Sequence, residues 1–212
     1  MKKIIAILLL TFLMFSTLTN TITYADKDDI YLSSGKTLQT LGVLVGDNGD
    51  LMLKKNLKRQ EMVVLISRLY KDEDMAKSFI GKPKFKDIPE NDNYYPSFIA
   101  WAVDRNLIEG RDKDTFGYNE ETTVKEFQTV LLRALGYEEE SGLWNSVSEF
   151  SQKLGIMNSL DISPRNSLNR GQMAVMTLNT LKLTKKGSTL TLAEVLGIEL
   201  NPEGPIATNI KR

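Results

Sequence analysis

Three four-residue segments carry charged or polar side chains of the types that cap helices and bind anions. They are Lys58-Arg59-Gln60-Glu61, Thr123-Val124-Lys125-Glu126 and Asn169-Arg170-Gly171-Gln172. Apolar residues at helical spacing follow each segment, so each is predicted to open a helix. We call these segments the signatures of the first, second and third copy.

Helix capping accounts for the outer residues of the signatures. A threonine hydroxyl can accept from a free backbone N–H while a glutamate three residues later bonds back to the cap residue. Thr123 with Glu126 fits this pattern fully, and Asn169 with Gln172 is an acceptable variant. The first copy begins with a poor cap, which leaves Glu61 as a favourable charge near the helix N-terminus.

Capping does not explain the second signature residue, which is an arginine at Arg59 and Arg170. A cation in the first helical turn opposes the helix dipole. Two interpretations stay open. One is a solvated surface arginine; the other is a clamp for an acidic group, because guanidinium binds carboxylate or phosphate bidentately and a helix N-terminus attracts anions. The second copy has Val124 here and could contribute at most Lys125.

The segments around the signatures share one layout: a short helix, a turn with glycine or polar residues, and a longer helix. Seven residues after the last signature position stand Arg68, Arg133 and Asn179. Apolar stripes predict that the three long helices pack on one another. Alternating strand patterns are scarce, so we expect a mainly α fold with copies at about 38–70, 85–136 and 144–182.

Residues 1–25 have the layout of a secretory signal peptide. Lys2 and Lys3 precede an apolar run over 4–18, and Thr23-Tyr24-Ala25 fits a cleavage site. An uncleaved membrane anchor is the alternative, but the run is shorter than the roughly 20 residues that a spanning helix needs. We expect export, a lead-in over 26–37, the repeats over 38–182, and a C-terminal segment over 183–212 with a short helix near 191–197.

The composition excludes several classes of protein. The sequence has no cysteine and no histidine, which removes disulfides, thiol nucleophiles and the commonest general base and metal ligand. Loss of Lys2 and Lys3 would leave 25 of the 27 basic residues against 27 acidic ones. Such a balance does not predict nucleic-acid binding. No stretch after the predicted signal peptide is apolar enough to span a membrane, so we expect retention on the cell by binding.

The signatures resemble the Thr-Arg-Ala-Glu motif of S-layer homology domains, and the resemblance extends over about 38–182. Other elements fit the family's repeat: Phe85-x-Asp87-Ile88, the helix with Trp101, the Leu107-Ile108-x-Gly110 turn and Phe116. The resemblance implies a three-repeat module with a pseudo-threefold central bundle of three helices, short peripheral helices and loops. None of the signatures is intact, and the first and third copies lack the Phe-x-Asp start.

The same resemblance implies a ligand. In this family, grooves between repeats bind a peptidoglycan-linked secondary cell-wall polysaccharide, often one with acidic pyruvyl ketals. Carried over to this chain, the candidate ligand-binding and pocket-shaping residues are Arg59, Arg170, Trp101, Asp87, Gly46 and Gly110. For Trp101, packing in the core is the alternative. We expect non-covalent attachment to the cell wall, at the cell surface or in the S-layer.

Other functions compete with wall binding. An enzyme without histidine or cysteine would need paired carboxylates, whereas the acids here are scattered, so we expect no enzyme and no cofactor. An extracellular protein–protein module, or a structural S-layer module that binds no glycan, stays open. The acidic turns at 47–50 and 112–114 lack the spacing of an EF-hand loop and are explained as ordinary turns, so no metal site is predicted.

Overall fold

The computed structural model describes the backbone of residues 24–200 and the side chains of residues 27–200. Contacts divide the chain into a first unit, 1–30, and a second unit, 31–212. Of the first unit, the described residues 24–30 are helical. Residues 1–23, which hold most of the predicted signal peptide, and residues 201–212 lie outside the described part.

Within the described residues, helices are joined by turns, and β-structure is limited to isolated bridges. The prediction of a mainly α fold is confirmed. The helices are α1 (Tyr24–Thr40), α2 (Arg59–Leu69), α3 (Glu73–Lys77), α4 (Tyr95–Asp104), α5 (Val124–Ala134), α6 (Glu138–Gly142), α7 (Val147–Leu154), α8 (Arg170–Leu181) and α9 (Leu192–Val195).

Helix α1 is longer than the sequence pattern indicated. It covers the segment 26–37, which was expected to be a lead-in, and ends at Thr40. No proline interrupts residues 24–40, and Gly42 follows with a φ of 73°, a conformation typical just after a helix C-terminus. The apolar residues of α1 form no clear stripe, which is why periodicity did not reveal the helix.

Helices α2, α5 and α8 begin at the second residue of the three signatures and supply much of the core. Met62, Leu131 and Met176, one from each helix, are 0% exposed. Helix α2 packs against α4, and α5 packs against α7 and α8. Removing this apolar surface from water is the main favourable contribution to folding.

A closed ring of three backbone hydrogen bonds joins the copies just before their signatures. Leu57 N–H donates to Leu168 O, Leu168 N–H to Thr122 O, and Thr122 N–H to Leu57 O, each with an N···O distance of 2.8 Å. Because the ring closes on itself, the three copies have an approximate threefold relation at this level. The central bundle of three helices stays a prediction.

A second set of backbone bonds also closes around the three copies, with the donors and acceptors in the opposite cyclic order. The N–H of the second signature residue donates to a carbonyl of the next copy at 3.0 Å: Arg59 to Glu120, Val124 to Asn166 and Arg170 to Lys55. The first N–H groups of a helix have no partner within the helix, so the next copy satisfies them. The first copy therefore contacts the second, the second the third, and the third the first.

Candidate functional site

The signatures cap their helices where the first side chain has an acceptor. Thr123 Oγ1 accepts from the Glu126 N–H at 3.2 Å, and Glu126 Oε2 accepts from the Thr123 N–H at 2.8 Å. Asn169 and Gln172 exchange the same two bonds, at 2.8 and 3.0 Å. A lysine side chain has no acceptor, so the first copy keeps only the bond from the cap residue's N–H to Glu61, at 3.0 Å.

Arg59 is buried between the first and second copies, with 3% of its surface exposed. Its Nε donates to the carbonyl oxygen of Phe116 at 2.8 Å, and its Nη2 to that of Glu109 at 3.1 Å. Its Nη1 pairs with Glu126 Oε1 at 2.8 Å. Burial lowers the pKa of Arg59, and Glu126 offsets part of this effect. All three guanidinium nitrogens are therefore held by the second copy.

Arg170 occupies the corresponding position between the third and first copies, and it is 7% exposed. Its Nε donates to the carbonyl oxygen of Leu51 at 2.9 Å, and its Nη2 to that of Val45 at 2.7 Å. Burial lowers the pKa of Arg170 as well. In the second copy, Val124 fills this position with an apolar side chain that is 0% exposed.

These contacts remove one of the two interpretations of the signature arginines. A solvated surface arginine is wrong for both positions, because Arg59 and Arg170 are buried. Each guanidinium acts as a clamp, but the clamped groups belong to the chain itself: backbone carbonyls in both cases, and Glu126 for Arg59. Ligand binding by these two arginines stays a prediction.

Asp87 organises the turn that Arg59 contacts. Its Oδ1 accepts from the Phe116 N–H at 2.8 Å, and its Oδ2 accepts from the Gly117 and Tyr118 N–H groups at 2.7 and 2.8 Å. Burial raises the pKa of Asp87, but these backbone donors outweigh it and hold the pKa below its ordinary value. Asp87 thus shapes the site through the 116–118 turn.

Gly46 and Gly110 stand at tight turns in the first and second copies. A Cβ on Gly46 would lie 2.5 Å from the carbonyl oxygen of Asp50, and a Cβ on Gly110 would lie 2.6 Å from that of Thr115. Both separations are shorter than a non-bonded carbon–oxygen contact, so the close approach of the backbone requires glycine.

A cavity of about 410 Å³ lies beside Arg59, at the junction of the first and second copies. Three arginines, two glutamates and a tryptophan contribute its charged and aromatic lining: Arg59, Arg111, Arg133, Glu109, Glu126 and Trp144. Of the candidate residues from the sequence, Gly110 also lines this cavity. Those outside its lining are Trp101, Asp87, Gly46 and Arg170. We call this cavity the arginine cavity.

The charges of the arginine cavity form two groups. Glu126 Oε1 accepts from Arg59 Nη1 at 2.8 Å and from Arg111 Nε at 3.2 Å. In the second group, Arg133 Nη2 pairs with Glu109 Oε1 at 2.7 Å. The Glu126 side chain is 14% exposed, whereas that of Glu109 is 77% exposed. One carboxylate is therefore fixed within the structure and the other lies largely in solvent.

Arg111 also has a solvent-facing partner, Glu120, whose side chain is 49% exposed. Exposed ion pairs contribute only about 0–1 kcal/mol. A carboxylate on a ligand can therefore replace Glu109 or Glu120 at little cost. Arg133 therefore has one exchangeable carboxylate partner, Glu109. Arg111 has an exchangeable one, Glu120, and a fixed one, Glu126.

The family model of the S-layer homology domain matches residues 84–123. Two similar proteins carry related names. The Middle cell wall protein of Brevibacillus brevis is 29% identical over 151 residues, which is 70% of this chain and 14% of that protein. The Surface layer protein of Brevibacillus choshinensis is 30% identical over 129 residues, which is 59% of this chain and 12% of that protein.

The matched segment 84–123 supplies two of the three partners of Arg59, the carbonyl oxygens of Glu109 and Phe116, whereas Glu126 lies beyond it. The matched segment contains Asp87, Phe116 and the segment 109–111 that lines the arginine cavity, and it ends at Thr123, the first residue of the second signature. The first and third copies, at about 38–70 and 144–182, lie outside the matched range. The backbone ring and the two buried arginines relate them to the second copy.

The two tryptophans lie in different surroundings. Trp101 in α4 is 0% exposed, and its ring centre lies 6.3 Å from that of Tyr70 in an edge-on arrangement. Because α4 turns this side chain into the core, the prediction that Trp101 lines a groove is corrected in favour of core packing. Trp144 is 50% exposed and lines the arginine cavity. The Lys125 Nζ lies 4.5 Å from the centre of its ring.

Sequence reasoning missed Arg111, Arg133 and Trp144 as site residues. Arg133 stood in the repeated register, seven residues after the second signature, and Arg111 directly follows Gly110. Both arginines could therefore have been identified as candidates from the sequence. Trp144 had no comparable signal. It lies in the connection between α6 and α7, and although it opens the predicted third copy, it belongs to none of the motifs that the copies share.

The acidic turns are bonded to their own backbone. Asp50 Oδ1 accepts from the Met52 N–H at 2.8 Å, and Asp112 Oδ1 accepts from the Asp114 N–H at 2.9 Å. In the part of the chain that the structure describes, no three acidic, histidine or cysteine side chains are grouped to hold a metal ion. Within residues 24–200, no helix is long and apolar enough to cross a membrane.

Proposed function

We propose that this chain attaches non-covalently to the bacterial cell wall by binding acidic groups of a peptidoglycan-linked secondary cell-wall polysaccharide in the arginine cavity. The S-layer homology match and the names of the two relatives point to the cell surface or the S-layer, and they support an anchoring role in general. The polysaccharide and the cavity are the specific parts of the proposal.

The arrangement of Arg111, Arg133 and Trp144 carries this proposal. Guanidinium groups bind carboxylates with directed, charge-assisted hydrogen bonds. Arg111 and Arg133 each pair with a solvent-exposed carboxylate, that of Glu120 and that of Glu109. The half-exposed ring of Trp144 adds a flat apolar surface beside them. Acidic sugars combine a charged group with an apolar ring face, so both elements of the cavity have a use.

We also propose that the chain acts by binding and not by catalysis. The sequence contains neither histidine nor cysteine, and the cavity glutamates are engaged by arginines. A glycosidase requires two carboxyl groups on either side of the scissile bond, one of them protonated.

A protein partner is the second candidate, favoured by one observation. Leu143 and Trp144 are adjacent and 62% and 50% exposed, and exposed aromatic and aliphatic side chains are common anchors in protein interfaces. In that case the retention of the chain on the cell would depend on another surface protein. Walls stripped of protein separate the two functions.

Purified, protein-free sacculi provide the test. The chain is incubated with sacculi before and after chemical removal of the attached polysaccharide, and the pelleted fraction is measured. We expect retention before removal and its loss afterwards. Retention that survives removal, or no retention on protein-free sacculi, contradicts polysaccharide binding. Charge reversal of Arg59 or Arg170 is a poor variant here, because both are buried at junctions between copies.

A further inference from the structure

We infer that Glu109 is an internal competitor for the anion subsite of the arginine cavity. Its carboxylate holds Arg133 in the free protein and leaves when a carboxylate of the wall polysaccharide binds. This inference rests on the proposed function and adds to it a residue that sets the affinity. It also assigns Arg133 as the arginine that receives the ligand's acidic group.

The guanidinium of Arg133 is fixed on its inner side. Its Nε donates to Ser141 Oγ at 3.3 Å, and the Ser141 hydroxyl donates to the carbonyl oxygen of Glu138 at 2.7 Å. Ser141 is 3% exposed, and the Arg133 side chain is 11% exposed. A guanidinium positioned in this way keeps its direction when its outer partner changes.

The outer partner of Arg133 is held far less firmly. Glu109 Oε1 lies 2.7 Å from Arg133 Nη2, yet its side chain is 77% exposed. Ion pairs with such exposure contribute little to stability, because water solvates the separated carboxylate well. The backbone of Glu109 is fixed separately, since its carbonyl oxygen accepts from Arg59 Nη2 at 3.1 Å. Exchange therefore requires only rotation of the glutamate side chain.

The corresponding positions in the other copies are partnered differently. In the first copy, the Nε and Nη2 of Arg68 both contact Glu73 Oε1, at 2.9 and 2.8 Å, and the Glu73 side chain is 39% exposed. In the third copy, Asn179 Nδ2 donates to the carbonyl oxygens of Ile156 and Asn158, at 3.1 and 2.8 Å. In the second copy, Arg133 pairs with a carboxylate through Nη2 alone, and that carboxylate lies mostly in solvent.

The geometry specifies the ligand group as a carboxylate. A carboxylate oxygen already occupies the Nη2 position at 2.7 Å, so a sugar carboxylate can take the same place with the same hydrogen bond. The ring that carries it would then lie toward Trp144, which lines the same cavity. With Glu109 displaced, the lining keeps its three arginines and loses one opposing charge from the ligand's surroundings.

Isothermal titration with soluble polysaccharide, released chemically from sacculi, tests the inference. Glu109→Gln should bind about twofold to fivefold more tightly than the wild type, because an exposed ion pair no longer competes. Glu73→Gln is the matched control, since it removes the carboxylate that pairs with Arg68, the residue of the first copy that corresponds to Arg133. This variant should bind as the wild type does. Thermal unfolding of both variants checks that they are folded.

A double-variant comparison assigns the effect to Arg133. In an Arg133→Gln background, Glu109→Gln should change the affinity by less than twofold, because the subsite is already lost. Affinity of Glu109→Gln equal to or weaker than that of a binding wild type overturns the inference and leaves the proposed function standing. A wild type that does not bind the polysaccharide overturns the proposed function itself.

Discussion

Arg59 and Arg170 make the same type of contact with the next copy, at two junctions whose other residues differ. Both donate through Nε and Nη2 to two backbone carbonyls of the next copy, at 2.8 and 3.1 Å for Arg59 and at 2.9 and 2.7 Å for Arg170. At the first junction, Nη1 also pairs with Glu126 and the guanidinium lies 5.0 Å from the Phe116 ring centre. The shared contacts join the copies, and of the added partners Glu126 lines the arginine cavity.

The comparison separates structural arginines from those available to a ligand. The signature arginines are buried and bonded to the chain, so a change there acts first on stability. Arg111 and Arg133 each pair with an exposed carboxylate, so under the proposed function a change at Arg133, which has no buried carboxylate partner, should act first on binding. This division predicts which substitutions alter unfolding and which alter wall retention.

The largest expected effect is on the two signature arginines. Arg59→Met should lower the free energy of unfolding by about 3 kcal/mol, because it leaves a mostly buried glutamate without its main partner. Arg170→Met should cost about 1–2 kcal/mol, for the loss of two hydrogen bonds to carbonyls. Urea unfolding followed by circular dichroism measures both. An equal or larger loss for Arg170→Met would show that Glu126 does not distinguish the junctions.

A smaller effect is expected at the turn that receives Arg59. Asp87→Asn should cost about 1–2 kcal/mol at neutral pH, because the charged acceptor of three backbone N–H groups is lost. The pKa of Asp87 is lower in the folded chain than its ordinary value. Its stabilisation is therefore complete above the unfolded pKa of about 4 and declines as the pH falls through the lower folded pKa.

Thermal unfolding of the wild type and Asp87→Asn between pH 7 and pH 2.5 checks this dependence. The difference in melting temperature between them should be constant above about pH 5 and shrink below about pH 4. Asp114→Asn is a suitable control, since Asp114 pairs with Lys86 at the surface. A difference that grows toward acid pH would contradict the assignment of Asp87 as an ionised acceptor.

The smallest expected effect concerns the first signature, which lacks half of its capping box. Lys58 has φ −79° and ψ 149°, a conformation that suits a cap residue. Lys58→Thr should therefore stabilise the chain by about 0.5–1 kcal/mol, and Thr123→Ala should destabilise it by about 1 kcal/mol. Chemical unfolding measures both. A loss of stability in Lys58→Thr would mean that the lysine makes a contribution that capping does not replace.

The sequence predicted those features that depend on residues close to one another along the chain. The starts of α2, α5 and α8 follow from caps and apolar periodicity within a few residues. The partners of Arg59 and Arg170 were not accessible in this way, because they lie 57 and 119 residues away along the chain. Which arginine is buried and which faces a cavity depends on how the copies meet.

The surroundings of Trp101 also could not be predicted from the sequence alone. Its place in an aromatic-rich helix is compatible with a groove or with the core, and only the packing of α4 against α2 decides for the core. Trp144 follows a short helix without a repeat pattern, so no periodicity could assign it. The arginine cavity therefore combines residues that the sequence indicated with others that only the fold brings together.

Retention on protein-free sacculi tests the central claim most directly when Arg133→Gln and Arg68→Gln are compared with the wild type. Both variants change the arginine that stands seven residues after a signature, and both arginines pair with a glutamate. Of the two, only Arg133 lines the arginine cavity. We predict that Arg133→Gln weakens retention about tenfold, equivalent to about 1.4 kcal/mol, and that Arg68→Gln retains as the wild type does. Equal retention of Arg133→Gln and the wild type would contradict binding in this cavity.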